Sequence, residues 1–204
     1  MNMILLVFIA IGLFILVVCR TSKKNISATM AVDVSTLKTV KIEEQEWMVE
    51  NLNVDHFRNG DIIPEAKTNE EWIKAGEEKR PAWCYYNNNS SNGEKYGKLY
   101  NFYAVNDSRS LAPNGWHIPS DGEWIELEMS LGMSESETAE TGYRGSPVGD
   151  DMKSTSGWNS GNEDGSGGNG SNSSGWTGLP GGGRSTNQYT GLAYFYGGYG
   201  HWWS

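Results

Sequence analysis

The chain has 204 residues, 16 Lys+Arg against 25 Asp+Glu, a net charge of -9 and only 37% hydrophobic residues. That balance excludes duplex nucleic acid as a partner, because reading a phosphate backbone needs a cationic footprint to release counterions. Nine Trp and ten Tyr still supply core-forming area, and 26 Gly point to turns and loops rather than long helices.

The first element is the uncharged run Met3 to Val18, followed at once by Cys19 and then by Arg20, Lys23 and Lys24. Residues 1–19 read as a signal or anchor segment, with two alternatives. A lipoprotein signal would place a lipid on Cys19 and put the chain on an extracytoplasmic face. An uncleaved apolar helix would span the bilayer, and the trailing basic residues would favour a cytoplasmic domain. Both tether the chain to a membrane. Residues 20–36 are polar and aperiodic and read as a linker. The globular domain is expected over residues 37–204.

Val40 and Ile42, then Trp47 and Val49, alternate with polar residues and predict two half-buried strands. Asn59-Gly60-Asp61 predicts a turn with positive φ at the glycine. Thr68 and Glu71 have capping-box spacing, so a short helix is expected through Trp72, Ile73 and Ala75, closed by Gly76. Ala82 to Tyr86 reads as an aromatic strand, and Tyr96 to Val105 as a strand passing into a short helix. Ser120 and Glu123 form a second capping box. The helix behind it presents Trp124, Leu127 and Leu131 on one face and ends at Gly132.

From Gly157 to Gly175, sixteen of nineteen residues are Gly, Ser or Asn, which predicts a long solvated loop. Glu163 and Asp164 are hard oxygen donors, so calcium is the one cofactor to weigh. Their spacing matches neither an EF-hand nor a glycine-rich calcium repeat. Gly178 to Arg184 reads as a tight turn cluster, and seven aromatics follow between Tyr189 and Trp203. If Cys19 is lipidated or lies in the bilayer, Cys84 stands alone. A disulfide framework and a cysteine zinc site are then both excluded within the chain, and Cys84 reads as a packed hydrophobe.

Several segments together resemble the Fibrobacter succinogenes major paralogous domain. They are Gln45 to Asn53, Ala82 to Asn87, Tyr96 to Tyr100, Leu111 to Asp121, Leu179 to Arg184 and Gly200 to Ser204, in order over about residues 39–204. The resemblance implies a bacterial envelope protein, often a lipoprotein, with an α+β C-type-lectin-like fold behind an N-terminal apolar helix. It also implies further strand-like sequence after the Trp-Trp-Ser segment, so a C-terminally truncated domain with an unpaired, self-associating edge near Tyr189 to Trp203 is expected. The looser likeness to formylglycine-generating enzymes brings no activity, since that chemistry looks to need a cysteine pair.

Function divides into two classes. A non-catalytic binding or adhesion module, for a glycan or a surface protein, is expected from exposed aromatics and adaptable Asn/Asp/Gly loops. Trp47, Trp116 and Trp124 are expected in the core. Trp202 and Trp203 cannot both face inward on one strand, so they are candidate ligand contacts together with His117. The alternatives are a purely structural surface domain and an enzyme, for which His117, Asp121 and Glu123 could form an acid-base or metal constellation. Glu123 and Asp121 are accounted for by the helix start, leaving His117 over. No catalytic, cofactor or metal residue is therefore assigned.

Overall fold

The computed structural model describes residues 34–141, 144–159, 168–186, 193–196 and 198–204. The apolar segment with Cys19, most of the linker, and Glu163 and Asp164 lie outside the described residues.

Short strands, short helices and long connections make an α+β domain. Strands β1 (Thr39–Ile42) and β2 (Gln45–Met48) pair antiparallel, with Val40 opposite Trp47. Glu43 takes a positive φ in the two-residue turn between them. The expected alternation holds: Val40 and Ile42 are half-buried and Trp47 is buried. Helix α1 (Asn69–Glu77) starts on the expected capping box, Thr68 accepting from the Glu71 amide and Glu71 reaching back. Gly76 does not close it. The helix runs one residue further, and the left-handed residue that ends the turn is Lys79.

The aromatic strand shrinks to β3 (Trp83–Cys84), because Tyr86–Asn88 turns into a 3-10 segment with Asn87 at positive φ. Helix α2 (Gly93–Tyr96) leads through Gly97 into β4 (Leu99–Tyr100), which pairs with β3, and then helix α3 (Phe102–Val105). Gly97 has φ +68°, and a Cβ there would stand 2.7 Å from the Leu52 carbonyl oxygen, so only glycine fits. Helix α4 (Asp121–Ser130) has its capping box as expected and ends before Gly132, which has φ +106°. Helices α5 (Glu135–Thr138) and α6 (Ser146–Met152) follow. Strands β5 (Gly183–Thr186) and β6 (Ala193–Tyr196) form the last antiparallel pair. Gly183 and Arg184 are thus strand, not turn.

Three apolar clusters build the core. Val54, Phe57, Ile63, Trp83, Tyr100, Ala104 and Leu111 form one. The buried Tyr100 hydroxyl donates to the Val54 carbonyl at 2.7 Å and accepts from the Val54 amide at 2.8 Å. Burial pushes this phenol far above its ordinary pKa, so it stays a neutral donor. Ala66, Trp72, Ala75, Ala82 and Cys84 form the second. Cys84 is 1% exposed, and burial raises its thiol pKa despite the nearby Arg184, so it packs as a hydrophobe. Trp47, Leu127 and Trp176 form the third, with Trp124 and Leu131 packed against it. The predicted stripe of α4 therefore faces the core.

The C-terminal part of the Gly/Ser/Asn tract and its flanks are tied down by hydrogen bonds. Ser171 and Ser173 donate to the Asp151 carboxylate, and the Gly178 and Met152 backbones bond at 2.8 Å.

Candidate functional site

The third core cluster opens into a cleft of about 840 Å³. Its rings touch in series. Trp47 lies 4.9 Å from Trp124, Trp124 lies 5.5 Å from Trp176, and Trp176 lies 4.8 Å from Trp202. Trp116 and Trp203 also line it, as do His117, Glu123 and Asn51. Trp47 and Trp176 are buried, Trp116 and Trp124 half-buried, and Trp202 and Trp203 are 38% and 42% exposed.

Residues 199–204 form no strand, so the alternation expected for Trp202 and Trp203 does not apply. Indole hydrogen bonds position them instead. Trp202 Nε1 donates to Asn51 Oδ1, and Trp203 Nε1 donates to the Tyr100 carbonyl, each at 3.2 Å. The Trp203 carbonyl in turn accepts from Trp124 Nε1, also at 3.2 Å. Both tryptophans are therefore held at the cleft from residues more than 75 positions away, each with part of its ring open.

His117 is not left over. Its Nε2 meets Glu123 Oε1 at 2.6 Å, while Glu123 Oε2 accepts from the Ser120 amide and hydroxyl at 2.7 and 2.8 Å. One carboxylate closes the helix start and holds the imidazole at the cleft mouth. These bonds, Ser120 first and then His117, hold the Glu123 carboxyl down to about 2. Because the folded pKa lies below the ordinary value of 4.5, this contribution to stability is present above pH 4.5 and is lost as pH falls towards 2. In acid melts, wild type should therefore lose stability more steeply between pH 4.5 and pH 2 than Glu123→Gln. Equal slopes would show that the carboxylate is not held this way. Asp121 is exposed in the first turn of α4, and His56 pairs with Asp55 outside the cleft lining, so neither joins His117.

Arg184, which sequence reasoning left in a turn, is 9% exposed. One guanidinium nitrogen donates to the Ala66 carbonyl and Asn88 Oδ1 at 3.1 and 3.2 Å, the other to the Thr68 carbonyl and Asn69 Oδ1 at 2.8 and 3.0 Å. Its plane lies over Trp72 at 5.0 Å. It ties β5, which lines the cleft, to the start of α1. Lys98, also at the cleft, has its ammonium over Trp83 at 4.5 Å and bonded to Asn53 Oδ1 at 2.8 Å.

Among the described residues, no group of three His, Cys, Asp or Glu could hold a metal ion. Ser120 Oγ donates to Glu123 at 2.8 Å, so this serine is not aligned with His117 as a nucleophile.

The model of the Fibrobacter succinogenes major domain matches residues 40–204, from β1 to the last residue of the cleft-lining segment. The chain belongs to this family. No curated protein and no solved structure shows significant similarity to it. Within the Fibrobacter succinogenes major domain the match covers every cleft-lining residue named above. The segments Gln45 to Asn53, Leu111 to Asp121 and Gly200 to Ser204, far apart in sequence, all contribute to that one cleft.

Proposed function

We propose that this domain is a non-catalytic binding module, tethered to a bacterial envelope by residues 1–19 and displayed on its extracytoplasmic face, with a glycan as ligand. One observation carries the reading: a cleft of about 840 Å³ walled by tryptophans, two of them substantially exposed yet fixed by indole hydrogen bonds. Pockets of roughly 300–1,000 Å³ suit small ligands. Rigid aromatic faces with few rotatable bonds give contact area at low entropic cost. Asn51, Gln45 and Glu123 line the cleft, and their oxygens, each already accepting one or two bonds within the protein, have acceptor capacity left for ligand hydroxyls. The short antiparallel pairs and long loops are compatible with a C-type-lectin-like arrangement, and Cys19 is the residue that would carry a lipid anchor, with a membrane-spanning helix as the alternative.

A second reading has one point in its favour. His117 oriented by Glu123 is the geometry of a general base with its orienting group. In the binding reading the same pair is a polar contact at the cleft mouth.

The test is a glycan array probed with the purified full chain, with and without calcium. Binding to a defined glycan class that Trp202→Ala abolishes is the expected result. Absence of binding to any glycan in both conditions would overturn the glycan reading.

A further inference from the structure

We propose that the ligand of the cleft is an uncharged polysaccharide chain, and that it leaves the cleft across a second aromatic surface formed by Trp203 and Phe102. This rests on the binding reading above and adds the polymeric, neutral nature of the ligand and a contact outside the cleft. The rings do not stop at the cleft wall. Trp203 lines the cleft and also lies 6.3 Å from Phe102, which in turn lies 5.7 Å from Tyr103. Phe102 is the first residue of α3 and is 53% exposed, while Ala104 on the same helix is wholly buried. The helix thus packs through Ala104 and leaves the phenyl ring outward, beside an exposed indole.

The hydrogen bonds define what the rings can offer. The indole N–H groups of Trp47, Trp124, Trp202 and Trp203 are all donated within the protein. At these four rings a ligand therefore meets faces rather than N–H donors. Such faces carry partial negative charge and accept the C–H bonds on the flat side of a pyranose. Charge then selects among polysaccharides. Glu44, Glu46, Glu50 and Glu123 line the cleft together with Lys98 and Arg184, and Glu44 and Glu50 pair with Lys41 and Lys38. Arg184 is 9% exposed and Lys98 is half-buried over the Trp83 ring, so neither cation stands open to a uronate or sulfate, and a chain of net charge -9 repels such ligands at longer range. Length follows from size: the cleft holds only a few sugar rings, and the Trp203–Phe102 surface continues from its wall.

The experiment is isothermal titration of the purified full chain with neutral di-, tetra- and hexasaccharides of glucan and mannan type, and with an oligouronate. Any solubilising detergent must lack a sugar headgroup. Affinity should rise from disaccharide to hexasaccharide by about tenfold or more, with no oligouronate binding. Phe102→Ala should flatten that rise and leave disaccharide affinity unchanged, whereas Trp202→Ala should weaken every length. Equal affinity at all lengths, or an unchanged hexasaccharide affinity in Phe102→Ala, would overturn the extension while leaving the cleft as a glycan site. Tighter binding of the oligouronate would overturn the neutral class. Sedimentation of wild type as a dimer that Phe102→Ala dissociates would show a self-association surface and overturn the extension. Absence of binding by every oligosaccharide would overturn both readings.

Discussion

Trp176→Ala is expected to destabilise the domain by about 3–5 kcal/mol, the usual cost of removing a buried tryptophan and leaving a cavity. Trp176 is 6% exposed and touches both Trp124 and Trp202, so its ring connects the α4 face of the core to the cleft-lining segment. For a domain of this size, that loss lowers the melting temperature by roughly 10 °C. Trp202→Ala removes a ring already 38% exposed and one indole bond, so its stability cost should be about 1 kcal/mol. Thermal melts of the two variants check the contrast. Similar losses for both would show that Trp202 is a core residue and not an accessible contact.

The second large effect belongs to Arg184. Arg184→Ala strips donors from two backbone carbonyls and two asparagine oxygens at once, and takes the guanidinium off the face of Trp72. The buried Ala66 carbonyl left unsatisfied costs about 1–3 kcal/mol, and the three part-buried acceptors regain some water, so a total near 3 kcal/mol is expected with the lost Trp72 contact included. Arg184→Lys should recover less than half of it. A single ammonium cannot reproduce a planar fork that reaches four acceptors. Chemical denaturation of the three proteins checks this, and a fully stable Arg184→Lys would show that charge alone suffices.

Arg184 also marks where sequence reading stops. Its acceptors lie 96 to 118 residues earlier in the chain, and its neighbours Gly181, Gly182 and Gly183 spell a turn by composition. No local rule reports a strand that starts on Gly183 to pair with β6. The features that were legible are the local ones. The capping boxes at Thr68 and Ser120, the β1–β2 alternation, the positive φ of Gly60, the helix stop before Gly132 and the core stripe of α4 all depend on residues within one or two turns of each other. The end of α1 slipped from Gly76 to Glu77, with the left-handed turn residue at Lys79, because a glycine inside a short helix costs only about 1 kcal/mol and packing overrides it.

For the site, the residue types were legible and their arrangement was not. Trp202, Trp203 and His117 do line one cleft, but alternation could not place the tryptophans, since no ladder partner fixes residues 199–204. Glu123 was assigned wholly to the helix start, although a carboxylate has two oxygens and the second holds His117. Trp176 was hidden by its setting. It follows Gly175 at the end of a Gly/Ser/Asn tract, and only the tertiary contacts with Trp124 and Trp202 reveal it.

The claim that this cleft is where ligand binds is tested most directly by following the nine indole N–H resonances of the full chain by NMR during titration with a neutral hexasaccharide. Trp202, Trp203, Trp116 and Trp124 should shift together along one saturable curve, because they line the cleft. Trp83, whose indole donates to the Ile63 carbonyl inside another cluster, should stay still. Saturable binding that moves Trp83 and leaves Trp202 and Trp203 in place would put the site elsewhere and contradict the account.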